Sequence, residues 1–166
     1  MDFKLSIPEF NGDGLIPSGD YLPTQSEFEN HFVSNEHRKD LYENFKRYLS
    51  DLSKAGLEDG ANIMCNGSFT TIKSDPSDID MTVDVFLDSY TKEDVAKNKN
   101  IIALLQGPNM KGKYKCDSYP VFILPIDDPN YISVTEKSIE YWCKWFSKDR
   151  KKRPKGRIWL ESGGLR

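Results

Sequence analysis

A chain of 166 residues, 37% hydrophobic and 30% charged, is long enough for one domain with a proper core and short for two. Its net charge of −3 gives no global attraction to nucleic acid: DNA is not an expected partner, and RNA would need a local basic patch. Three cysteines (Cys65, Cys116 and Cys143) form no C-x-x-C pair, which argues against a disulfide framework and a zinc site.

The opening MDFKLSIPEFNGDG has neither the basic nor the apolar region of a secretory signal. No apolar run approaches the length of a membrane span. The expectation is a cytoplasmic protein with no membrane partner, folded as one domain over residues 1–166. Pro8, Gly12, Gly14, Pro17, Gly19 and Pro23 make residues 1–23 an extended lead-in without regular structure.

Thr24 and Glu27 match a capping box and predict a helix start. A longer helix is expected from about Ser34, with Leu41, Phe45, Tyr48 and Leu52 on its buried face and Gly56 as its stop. His31 and His37 fall on these helices as surface residues. A short strand, Asn62 to Cys65, runs into an Asn66-Gly67-Ser68 turn. The next strand is the clearest pattern in the chain: Ile79, Met81, Val83, Val85 and Leu87 share one face, and Asp78, Asp80, Thr82, Asp84 and Asp88 the other. A helix from about Thr91 leads to Gly107. A strand over roughly Tyr114 to Leu124 follows, in which Pro120 signals an edge or a break. The last helix, about Thr135 to Lys148, is expected to bury Ile139, Trp142 and Phe146, with Tyr141 and Trp145 as packing rather than base-stacking residues. The basic run KDRKKRPKGR then enters a short strand at Arg157 to Leu160. The sum is an α/β (α+β) domain: a small mixed sheet with flanking helices.

Asp78 and Asp80 lie two apart on a strand, with side chains about 6.5–7 Å apart. That spacing suits carboxylates that grip one cation or bridge two. Asp84 is too far along to join them and is expected to be solvated. The Gly67-Ser68 turn can bring backbone amides and a hydroxyl against phosphate oxygens, with Lys73 balancing their charge. A calcium loop does not fit, because neither its sixth-position glycine nor its twelfth-position glutamate is present. Asp117 is the candidate third acid, although Lys113 or Lys115 could pair with it instead. Asp127 and Asp128 fit a turn better. The basic run from Lys148 to Arg157 is either a solvated helix end or a phosphate or RNA clamp.

Gly67-Ser68, nine residues, then Asp78-Ile79-Asp80-Met81 resembles the signature of the polymerase-beta-like nucleotidyltransferase superfamily. That superfamily often carries an Arg or Lys and a Gly just before the acid pair, where this chain has Lys73 and Ser-Asp-Pro-Ser. The flanks GLIPSGDYLPTQSEFENHFV and EYWCKWFSKDRKKRPKGRIWL are similar to the ends of a family of short, mostly bacterial proteins of unknown function placed in that superfamily. The resemblance implies that Gly67 and Ser68 bind a nucleoside triphosphate, and it singles out Arg150 and Lys155 as the members of the basic run that would meet phosphate. It also implies that Asp78, Asp80 and Asp117 hold Mg²⁺ or Mn²⁺ and carry the catalysis, the acceptor being a protein hydroxyl, a tRNA end or a nucleotide. The alternatives are a catalytically silent sensor, or a partner module in a toxin–antitoxin or phage-defence pair. A metal-dependent nuclease is a weaker rival.

Overall fold

In a computed structural model that describes residues 2–165, both expected N-terminal helices form where their caps lie. Helix α1 (Gln25–Phe32) begins at Thr24, whose hydroxyl accepts from the amide of Glu27. Helix α2 (Glu36–Lys54) begins at Asn35, whose side chain accepts from the amide of Arg38. The reciprocal half of the first box is redirected, because the Glu27 carboxylate accepts from the amide of Ile7 at 2.6 Å. Helix α2 buries Leu41, Phe45, Tyr48 and Leu52. It stops where Gly56 turns left-handed (φ 113°), with amides 56 and 57 donating to carbonyls 53 and 52.

Among the described residues, six strands make one mixed sheet: β1 (Phe3–Lys4), β2 (Asp20–Tyr21), β3 (Asn62–Asn66), β4 (Ile79–Phe86), β5 (Cys116–Ile123) and β6 (Arg157–Glu161). Their order is β1-β2-β6-β3-β4-β5. The β1, β2 and β6 strands run parallel, β3 is antiparallel to both its neighbours, and β5 runs parallel to β4. Pro120 thus sits on an edge strand, where a missing donor is tolerated. The lead-in differs from expectation, since β1 and β2 extend the sheet. Pairings of two residues carry no periodicity that a sequence could display.

Helices α1 and α2 cover one face of the sheet. Phe28, Phe45, Tyr48 and Leu52 pack there with Ile63, Cys65, Ile79, Met81, Val83, Ile158 and Leu160. The opposite face carries the polar side chains of β3, β4 and β5. Helix α6 (Lys137–Phe146) packs Phe146 there against Met64 and Trp159.

Three expected elements change. The helix after Thr91 breaks at Asn98 into α3 (Lys92–Lys97) and α4 (Lys99–Leu104). A one-turn helix, α5 (Lys111–Tyr114), occupies the expected start of the fifth strand and ends at left-handed Lys115 (φ 56°). Helix α6 buries Phe146, but Ile139 and Trp142 are only half-buried, and Tyr141 and Trp145 are 56% and 61% exposed.

Candidate active site

The sheet register assembles the site. Asn66, the last residue of β3, lies opposite Asp80 on β4, and Asp80 lies opposite Asp117 on β5. Directly opposed residues share a face, so these three side chains form a row across three strands. Gly67 turns away from the row with φ 75°. A Cβ there would lie 1.6 Å from Asp80 Oδ2, so only glycine lets the turn approach the carboxylate. The Asn66 side chain holds the turn in shape. Its Oδ1 accepts from the Gly67 amide (2.9 Å) and from Lys155 Nζ (3.0 Å), while its Nδ2 donates to the Phe146 carbonyl (3.0 Å). Lys155, 3% exposed, also donates to the Gly67 carbonyl. Ser68 is half-buried beside it, and its carbonyl accepts from the Thr71 hydroxyl at 2.7 Å.

Asp78 stands just before β4, where Ser77 Oγ donates to its Oδ1 at 2.9 Å. Carboxylates gathered this closely need positive charge, and two lysines supply it. Lys111 Nζ lies 2.6 Å from Asp78 Oδ2 and 2.8 Å from Asp117 Oδ2, so one ammonium spans both acids and its own pKa is raised by them. Asp80 titrates at about 6. Burial pushes it up first, then Asp78 and Asp117, against the pull of Lys111 and Lys155. Burial lowers Lys155 to about 8, opposed by Asp80 and Asp149. Among the described residues, Asp117 Oδ1 is buried without a hydrogen-bond partner, an acceptor with its lone pairs unused.

The loop between the turn and the acids is gripped by the first turn of α2. Arg38, 2% exposed, donates to the carbonyls of Phe32, Phe69 and Lys73 and lies over the Phe69 ring. Asn35 Nδ2 donates to the Ser74 carbonyl at 3.0 Å. His37, expected as a plain surface residue, has its Nε2 2.6 Å from the Pro76 carbonyl oxygen.

Of the sequence-predicted residues, Gly67, Ser68, Asp78, Asp80, Asp117 and Lys155 are thus brought together. Lys73 is exposed and ion-paired to none of the acids; its role in the loop is through its carbonyl. Arg150 is exposed on a turn. The basic run is not uniformly a clamp: Arg153 pairs with Asp149 (2.6 Å) and Asp13 (2.8 Å), and Arg157 pairs with Asp20. Asp84 is corrected from solvated to buried; it accepts from Asn62 Nδ2 at 2.8 Å, and burial raises its pKa to about 6. Asp117 pairs with neither Lys113 nor Lys115. Lys113 turns to Asp51 and the Tyr114 ring, and Lys115 is exposed. Sequence reasoning missed Lys111, Asn66 and Arg38. The run KGKYKCD offered three lysines, and only the single turn of α5 selects the first.

Among the described residues, no group of three or more His, Cys, Asp or Glu is arranged as a ready metal site; Lys111 stands between two of the acids. The donor set nevertheless has the chemistry a hard divalent cation prefers, all carboxylate oxygen, and Asp117 Oδ1 is an unused donor. Residues 8–161 match a family of unknown function, DUF6932. The chain belongs to that family. The matched span runs from the lead-in to the end of β6, so the acids, the glycine turn, Lys111 and Lys155 are all part of the DUF6932 unit. No curated protein and no solved structure matches the chain. Among the described residues no helix is long and apolar enough to cross a membrane.

Proposed function

We propose that this DUF6932 protein is a minimal nucleotidyltransferase of the polymerase-beta-like kind, moving a nucleoside monophosphate from a nucleoside triphosphate to a hydroxyl acceptor. The observation that carries the reading is the row Asn66, Asp80, Asp117 across three adjacent strands, with the Gly67 turn at one end and Asp78 beside it. Asp78, Asp80 and Asp117 would hold Mg²⁺ or Mn²⁺, which when bound neutralises phosphate charge and polarises a phosphoryl oxygen. Lys111, whose ammonium spans Asp78 and Asp117, would add a cation suited to a phosphate oxygen at the same place. Gly67, having no side chain, would let a triphosphate come close to the turn, and Ser68 would offer it a hydroxyl; the Gly67 amide itself is held by Asn66 Oδ1. Lys155 is too enclosed to reach it and instead positions the turn through Asn66 and Gly67. A carboxylate beside the acceptor hydroxyl can take its proton as it attacks the α-phosphate, and Asp117, whose Oδ1 has no hydrogen-bond partner among the described residues, is the candidate for that role. Pyrophosphate leaves.

A second reading is favoured by Lys111 itself, which already neutralises two of the three acids: a silent site that senses nucleotide or serves a protein partner. The test separates them. ATP or GTP should raise the melting temperature only with Mg²⁺ present, and Asp78→Asn with Asp80→Asn should abolish the shift. An α-phosphate label should pass to an acceptor in lysate with release of pyrophosphate. No shift with any of the four triphosphates overturns the transferase reading, and a shift without pyrophosphate release selects the sensor.

A further inference from the structure

Helix α6 turns an exposed face to solvent that does not read as an ordinary charged surface. Lys137, Tyr141, Lys144, Trp145 and, just past the helix end, Lys148 are all exposed. Their spacings of three and four put them on one side of the helix. The Tyr141 and Trp145 rings stack with centroids 6.3 Å apart and planes 12° apart. The turn that follows adds exposed Arg150, Lys151 and Lys152. None of these six cations is ion-paired among the described residues. The acids nearby in sequence are Glu136 just before the helix, Glu140 on it, and Asp149, which Arg153 already engages.

The rings also lead somewhere. Tyr141 meets Trp142 edge-on at 5.2 Å, and Trp142 meets Tyr119 at 4.7 Å. Tyr119 lies two residues beyond Asp117 on β5, on the same face of the sheet. A file of four aromatic rings thus runs from the acid row out to a lysine-lined helix.

We propose that this face of α6 binds a single-stranded polynucleotide, whose bases stack on Tyr141 and Trp145 while its phosphates meet the lysines. Charge complementarity selects this occupant: exposed rings interleaved with unpaired cations suit an anionic chain with planar faces, and a duplex hides those faces. The strand's end would reach the acid row along Trp142 and Tyr119. Its role as the acceptor rests on the transferase reading; its binding does not.

The test is fluorescence anisotropy with labelled 12-nucleotide oligouridylate RNA, oligothymidylate DNA and a hairpin duplex, at several salt concentrations. Both single strands, or one of them, should bind more tightly than the duplex and quench tryptophan fluorescence. Tyr141→Ala with Trp145→Ala should weaken binding at least about fivefold, the loss of one good stacking contact. Lys144→Ala with Lys148→Ala should weaken it too and flatten the salt dependence by about 1.4 in log–log slope, two phosphates' worth. No binding, equal binding of the duplex, or unchanged affinity in the aromatic variant overturns the proposal. The Mg²⁺-triphosphate melting shift, followed in the same proteins, keeps the two readings apart. Its absence from the wild type sinks the transferase reading alone, and a wild-type-like cooperative melt of the ligand-free aromatic variant shows that lost strand binding is not lost folding.

Discussion

Asp80 sits where the sheet brings like charges together, and its titration is the residue-level signature of the site. Its pKa rises from an ordinary 3.8 to about 6 through burial and the neighbouring Asp78 and Asp117. The folded state therefore holds a proton that the unfolded chain has lost between about pH 4 and pH 6. Stability falls as pH rises through that window, and the cost is complete above it. Asp84 behaves alike for a simpler reason, since burial is its largest cause and Asn62 only partly offsets it. Asp80→Asn should stabilise the metal-free protein at pH 7.5 by on the order of 1–2 kcal/mol, with the gain disappearing below about pH 4. Thermal denaturation across a pH series in a chelator checks this. A variant less stable than wild type at pH 7.5 would show that the attraction of Asp80 to the nearby charges of Lys111 and Lys155 outweighs burial and repulsion.

At the scale of elements, the loop from Phe69 to Pro76 has no regular structure of its own, yet it joins the glycine turn to the acid strand. Its shape comes from α2. The Arg38 guanidinium serves three carbonyls, and Asn35 and His37 hold two more. Burial lowers Arg38 to about 10, which leaves it charged at neutral pH. Arg38→Met keeps most of the volume and removes the donors, so buried carbonyls are left unmet; the expected cost is about 3 kcal/mol or more. Hydrogen exchange should accelerate first in residues 69–76, and the triphosphate melting shift should weaken with it. Unchanged exchange in that loop would mean that the turn and the acid strand position it without Arg38.

Across the whole molecule, the lead-in closes the architecture. Gly14 and Ile72 share a backbone hydrogen bond, and the amides of Gly156 and Arg157 donate to the carbonyls of Ile16 and Gly19. Asp20 anchors it, taking two bonds from Arg157 (2.7 and 2.6 Å) and one from Trp159 Nε1 (2.7 Å). Burial alone would raise the Asp20 pKa, but those partners outweigh it and hold it below its ordinary value. Its contribution is present above the ordinary pKa and lost as pH falls through the lowered one. Asp20→Ala leaves Arg157 half-buried and unpaired and should cost about 3 kcal/mol. Urea denaturation at pH 7 and pH 3 checks this, the difference from wild type shrinking at the lower pH.

What the chain determined by itself is what short-range rules encode. The alternation of Ile79 to Leu87 placed the acids on one face, Thr24 started α1, Gly56 ended α2, and Pro120 marked an edge. The spacing of Gly67-Ser68 and Asp78-Ile79-Asp80 was legible in the same way, because turn, loop and strand are contiguous. Tertiary structure decided which charges meet. Lys111 reaches Asp78 across 33 residues of chain, Lys155 reaches Asn66 across 89, and Arg157 reaches Asp20 across 137. It also decided that Asp84 is buried and that Tyr141 and Trp145 are not. Exposure of a side chain depends on what packs over it, and a helix of strong amphipathic pattern does not say where its cover ends. Backbone periodicity repeats every two or four residues and can be read locally; side-chain pairing is fixed by strand order and register, which only the closed sheet supplies.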